Sequence, residues 1–267
     1  MNCPEEKKGV LEMNKVAEVP GVKIRWFNDA CYEIVLPGGK VVLVDPYIDD
    51  SQYCLRKADE VTGADYILVS HSHFDHITQI PDMLKRFHSK IFMGKNSVKE
   101  FAKYYNIPGY PFYACSPGDV FEMEDCKIEA FFAKHTSLGE KDAPANWNAL
   151  CEEYGYKNSH EQFAEVNRCG SYEYLNYMIT TKNQIRILIW GGGIDYESLQ
   201  RAKKYEPDVA IVQFTRSEPE KSAMMCEAVG GQVVFPHHHE PACMETVSYT
   251  HLMIRRSLFI IESLFLF

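Results

Sequence analysis

The chain has 267 residues, 46% of them hydrophobic, enough to bury a substantial core. Its formal net charge of −9 argues against nonspecific nucleic-acid binding, which is driven by neutralising phosphates. Nine cysteines, an odd number without a C-x-x-C pair, suggest neither a disulfide framework nor a thiolate zinc knuckle; reduced thiols in a cytoplasm fit best. Residues 1–15 mix Glu and Lys and lack the apolar core of a signal peptide. No run approaches the ~20 apolar residues of a membrane helix.

Along the chain, Val22–Trp26, Cys31–Leu36 and Lys40–Val44 read as strands, with Pro37-Gly38-Gly39 as a hairpin turn. Tyr66–Ser70 is the next strand. Residues 78–88 read as a helix with Pro81 in its first turn. Lys90–Met93 follows as a strand, then a helix over Ser97–Tyr105 begun by a serine cap. Tyr110–Ala114, Val120–Met123 and Lys127–Ala133 are strands, and Ser116-Pro117-Gly118-Asp119 turns between two of them.

Residues 135–171 form a long polar and aromatic excursion containing Trp147, Tyr154, Tyr156, His160, Phe163 and Arg168. Loops of that length are usually functional or disordered. Two readings stand: a lid over a site, spanning 136–171, or an insertion packed on the surface. Residues 161–165 suit a short helix. Beyond it, Tyr172–Thr180 and Ile185–Trp190 form a hairpin through Lys182-Asn183-Gln184. A helix over Tyr196–Tyr205, a strand over Asp208–Gln213, a helix over Glu218–Ala228 and a strand over Gln232–Phe235 complete the pattern. No composition break divides the chain, so 1–246 reads as one domain. Residues 247–267 are an atypical apolar tail, either a core element or foreign sequence.

His71-Ser72-His73-Phe74-Asp75-His76 directly follows the apolar run Tyr66–Ser70. Four metal-ligating side chains lie within six residues at a strand end. Imidazole nitrogen and carboxylate oxygen suit zinc, manganese or iron. Other polar clusters also sit where apolar runs stop: Asp45-Pro46, His135, Gly191-Gly192-Gly193-Ile194-Asp195 and His237-His238-His239.

In this order, the motifs resemble the signature of metallo-β-lactamase-fold hydrolases over residues 22–240. The resemblance implies an α/β fold: a four-layer αββα sandwich of two mixed β-sheets flanked by helices. It implies one ion on His71, His73 and His135, and a second on Asp75, His76 and His238. His237 and His239 would face away in an extended run. The family commonly carries a bridging aspartate after the strand that here ends at Trp190. That position falls on Gly193 in one alignment and on Asp195 in the other, and Asp195 also suits a helix cap. Asp45 is read as a support for a ligand loop or histidine, or as an ordinary Asp-Pro turn.

Such a site implies hydrolysis. A divalent ion lowers the pKa of bound water to about 7, and Asp75 orients the resulting nucleophile as a catalytic residue. Within the superfamily, the opening strand and the Asp45-Pro46-Tyr47 turn look most like the ascorbate-6-phosphate lactonase-like branch. The implied reaction is cleavage of a lactone, ester or phosphodiester in a small, anionic molecule, with one or two divalent ions, zinc first and manganese or iron as alternatives. A metal-binding relative without turnover and a diiron oxidoreductase are the competing readings. Neither nucleic acid nor membrane is expected as a partner, and the sequence does not set the oligomeric state.

Overall fold

The computed structural model describes residues 17–19, 21–51, 54, 56–135, 164–193, 200–213 and 219–238. Seven strands form the first sheet: β1 (Ala17–Val19), β2 (Val22–Asn28), β3 (Cys31–Val35), β4 (Val41–Val44), β5 (Tyr66–Leu68), β6 (Lys90–Gly94) and β7 (Phe112–Cys115), side by side in chain order. β1 to β4 pair antiparallel, and β4 to β7 pair parallel. Six strands form the second sheet: β8 (Val120–Glu122), β9 (Cys126–Ala133), β10 (Tyr174–Thr181), β11 (Arg186–Trp190), β12 (Val209–Gln213) and β13 (Val233–His237). There β8 to β11 pair antiparallel, and β11 to β13 parallel.

Side-chain alternation along the strands divides the core into layers. Val42, Val44, Leu68 and Phe92 of the first sheet meet Ile128, Leu175, Ile189 and Ile211 of the second. The residues between them point outward. Leu43, Ile67, Ile91 and Met93 pack under α1 (Phe74–Ile77), α2 (Ile80–Arg86) and α3 (Lys95–Tyr104). Leu188, Trp190, Ala210 and Val212 pack against Met225, Cys226 and Val229 of a helix over Pro219–Val229. Apolar residues on both faces of the central strands therefore give helix, sheet, sheet, helix, the expected four-layer α/β sandwich.

The turns follow local chemistry. Gly39, with φ 85°, closes the hairpin from Leu36 to Lys40, a backbone state that glycine enters without steric cost. Strand ends agree with the sequence reading to within about two residues, the usual uncertainty of such boundaries. Three features depart from it. β1 was not expected, and the histidine motif itself contains a helical turn, α1. The third is the start of α3: its N-cap is Gly94, and Ser97 does not cap it.

The cap instead comes from far along the chain. A further helix, α4 (Ala164–Tyr172), closes the described part of the excursion, with the Pro219–Val229 helix as α5. Glu173, just after α4, accepts from the backbone nitrogens of Asn96 at 2.9 Å and Ser97 at 3.2 Å. A Cβ on Gly94 would overlap that carboxylate, the far end of a flexible side chain, so a larger residue there would push Glu173 off the cap. No helix among the described residues is long and apolar enough to cross a membrane. Replacing Glu173 with Ala is expected to cost about 1–2 kcal/mol, the range for a lost charged cap. Urea unfolding should show this as a lower midpoint at unchanged slope.

Candidate metal centre

Strand direction gathers the site at one edge. β2, β4 and β5 run the same way in the first sheet, and β9, β11 and β13 share one direction in the second. Asp29 follows β2, Asp45 follows β4, His71 to His76 follow β5, His135 follows β9, and His238 follows β13. The loops at the carboxyl ends of like-directed strands thus converge. The sheets are stitched there by Tyr177 Oη donating to the Val69 carbonyl at 2.8 Å, Leu175 N to Ser70 O at 2.9 Å and Tyr32 Oη to Pro236 O at 2.8 Å.

Three groups of side chains bring ligand atoms within 4.8 Å of one another: His71, His73 and His135; His71, Asp75 and His76; and Asp29, Asp75 and His238. All but His135 and His238 are buried. His71 Nε2 lies 3.0 Å from His73 Nδ1, and His238 Nε2 lies 3.3 Å from His76 Nε2. Nitrogens about 2 Å from a shared zinc ion stand about this far apart.

Hydrogen bonds on the opposite ring edges fix the tautomers. Ser70 Oγ donates its one hydrogen to Asp45 Oδ2 at 2.7 Å, so at 3.0 Å it accepts from His71 Nδ1. His71 Nε2 is left with a lone pair. His76 Nδ1 lies 3.0 Å from Asp45 Oδ2 and donates to it, leaving Nε2. Ser171 Oγ donates to the Asn167 carbonyl at 3.3 Å and accepts from His73 Nε2 at 2.9 Å, leaving Nδ1. His238 Nδ1 stands 2.9 Å from Asp29 Oδ1, a charge contact outside hydrogen-bond geometry that favours hydrogen on Nδ1 and leaves Nε2. In each ring, once neutral, the nitrogen left without hydrogen is the one facing another candidate ligand. Such outer partners set tautomer and ring orientation in metal sites.

Charge points the same way. Asp29, Asp45 and Asp75 are all buried, and no lysine or arginine is buried among the described residues. Asp75 Oδ1 is buried and has no hydrogen-bond partner among them. Leaving such an atom unpaired is costly unless a cation meets it. Burial pushes His71 well below its ordinary pKa, and its neighbouring histidines add to this, so it stays neutral. For His76 burial also lowers the pKa, but Asp75 and Asp45 outweigh it and push it up to about 9. Metal-free, His76 carries a proton that an ion would have to displace. The donors, the unpaired oxygen and the excess of carboxyl groups all fit divalent ions.

The structure brings six of the seven sequence-predicted ligands together: His71, His73, Asp75, His76, His135 and His238. Asp195 and His239 lie outside the described residues, as does 136–163 of the expected lid. Residues 164–171 belong to α4, which packs against the histidine loop. There Ser72 Oγ donates to the Val166 carbonyl at 2.6 Å and Phe74 N to Asn167 Oδ1 at 2.9 Å. A Cβ on Gly170 would stand 2.8 Å from His73 N. His237 turns away, its Nε2 3.2 Å from the Trp190 carbonyl, and burial pushes its pKa down to about 3. Asp45 takes the supporting position. Sequence reasoning missed Asp29, Ser70, Ser171 and Tyr174, whose ring stacks on His71 at 4.2 Å.

This fold and site define a metal-dependent hydrolase of the metallo-β-lactamase fold. A family model described as the β-lactamase superfamily domain matches residues 23–238, and the chain belongs to that superfamily. A UPF0173 metal-dependent hydrolase of Thermoplasma volcanium is 26% identical over 233 residues, covering 82% of this chain and 98% of that protein. Among solved structures, Igni18, a metallo hydrolase from Ignicoccus hospitalis, superposes with a TM-score of 0.64 at 14% identity, covering 90% of this chain and 94% of that one. A possible metal-dependent hydrolase from Veillonella parvula gives 0.62 at 11% identity, covering 89% and 95%.

Asp45→Asn keeps a residue type that tolerates the φ of 41° found there. It turns an acceptor of three hydrogen bonds into a mixed donor and acceptor. Zinc affinity is expected to fall about 10–100-fold, measured by competition with a chromophoric chelator.

Proposed function

We propose that this chain hydrolyses a lactone, ester or phosphodiester bond in a small, anionic substrate. In this reading His71, His73 and His135 hold one divalent ion, zinc by preference, and Asp75, His76 and His238 hold a second. The observation that carries it is the set of imidazole nitrogens left without hydrogen beside the unpaired Asp75 oxygen. Bound divalent ions supply Lewis acidity and lower the pKa of water to about 7.

The protein's own groups then do the positioning. Asp75, at the junction of the two ligand sets, accepts a hydrogen bond from the attacking water and orients it toward carbon or phosphorus. Asp45 and Ser70 hold His71 and His76 still, so little reorganisation accompanies the reaction. Tyr174 closes one side of His71 and excludes solvent from it. The lactonase-like branch stays the favoured substrate class, on the sequence resemblance alone. Cys31, Cys115, Cys126, Cys169 and Cys226 are free thiols, which supports a reducing, cytoplasmic setting.

The test is a screen of zinc-loaded protein against one lactone, one carboxylic ester and one phosphodiester series. Turnover of one class, abolished by chelation and restored by zinc, is expected. Asp75→Asn should lower kcat about 100-fold or more, as for loss of a general base or orienting group. Full metal content without turnover on any class would instead mark a metal-binding relative that does not catalyse.

A further inference from the structure

Asp29 occupies the tip of the hairpin between β2 and β3, where an aspartate reads as turn chemistry. Its backbone has φ 47°, a left-handed state that aspartate tolerates. A residue present only for the turn would bond locally. Here the side chain reaches the other sheet, with Oδ1 2.9 Å from His238 Nδ1. The backbone repeats the link, since His238 N donates to the Asp29 carbonyl at 3.2 Å. His238 is itself left-handed, with φ 62°, because the chain leaves β13 at that point. Two left-handed residues from different sheets therefore lock each other in place.

The consequence lies on the opposite edge of the imidazole. His238 Nε2 faces His76 Nε2 at 3.3 Å and Asp75 Oδ2 at 3.7 Å. Asp29 and Asp75, 4% and 6% exposed, form one group with His238. The unpartnered Asp75 Oδ1 is an independent mark of a ligand position there.

We propose that Asp29 is a positioning residue for the second metal ion: its carboxylate, in charge contact with His238 Nδ1, favours the hydrogen there, aims Nε2 at the ion and adds negative charge beside it. His238 leaves the strand before it reaches the site, so β13 cannot orient the ring. The hairpin tip does so instead. The inference rests on the two-ion reading above and adds the residue that orients the histidine of the second ion.

Three variants test it, read by cobalt(II) titration of the full-length, metal-free chain with absorption spectra and metal counts. Asp29→Gly keeps the turn, because glycine takes positive φ freely, but removes the carboxylate. The second ion is expected to bind about 10–100-fold more weakly, the usual cost of losing an outer partner, with the first unchanged. Asp29→Asn keeps both the turn and an acceptor for Nδ1 but loses the charge. It should weaken the second ion to a lesser degree, and it carries the test if the glycine variant does not fold. His238→Ala is the control and should lose the second ion. Wild-type affinity for the second ion in Asp29→Gly, or in Asp29→Asn should only that variant fold, overturns the proposal if His238→Ala has lost that ion. Two tightly bound ions in His238→Ala would instead overturn the two-ion reading itself.

Discussion

One buried carboxylate organises the centre. Asp45 accepts from Ser70 N at 2.7 Å, from Ser70 Oγ at 2.7 Å and from His76 Nδ1 at 3.0 Å. Through the serine hydroxyl it also decides which nitrogen of His71 carries hydrogen. A single side chain thereby sets two imidazoles that face the two proposed ion positions. Its left-handed backbone follows from the place it must occupy, at the end of β4 and beside the loop after β5. Because no buried lysine or arginine among the described residues opposes it, the same carboxyl group adds to the demand for cations. Orientation and charge are thus supplied together.

The sandwich makes this arrangement available. Strands that run in one direction deliver their following loops to one edge, and the core between the sheets fixes how far apart those loops lie. α4 supports the histidine loop from the side, with Gly170 allowing contact and Ser171 holding His73. The segment after it then serves two ends: Glu173 caps α3, and Tyr174 stacks on His71 as β10 begins. Disturbing that stretch would be felt both in stability and at the candidate metal ligands, since the same few residues serve both.

Much of this was legible in the sequence. Apolar alternation marked the strands, and Pro37-Gly38-Gly39 and Lys182-Asn183-Gln184 marked turns by their local chemistry. The compact run from His71 to His76 gave most of the candidate ligand set, because few structural roles put three histidines and an aspartate at one strand end. What escaped depends on distance along the chain. Asp29 looks like any hairpin aspartate until His238 is folded against it. Tyr174 looks like an ordinary strand aromatic, and Ser97 looks like a helix cap until Glu173 takes that role. Ser70 and Ser171 carry no pattern at all; only the direction of their hydrogen bonds reveals what they do. The cases share one cause: a local preference was satisfied, or overridden, by a partner from another element.

The central claim is that hydrogen bonds within the protein preset which nitrogen of each histidine is free for an ion. Long-range proton–nitrogen NMR correlation of the imidazole rings in zinc-loaded protein reads this directly. The account predicts zinc on Nε2 of His71, His76 and His238 and on Nδ1 of His73, with hydrogen on the other nitrogen of each. Zinc on Nδ1 of His71 or His76 would contradict it, because the bonds to Ser70 and Asp45 would then have to be broken for the ion to bind.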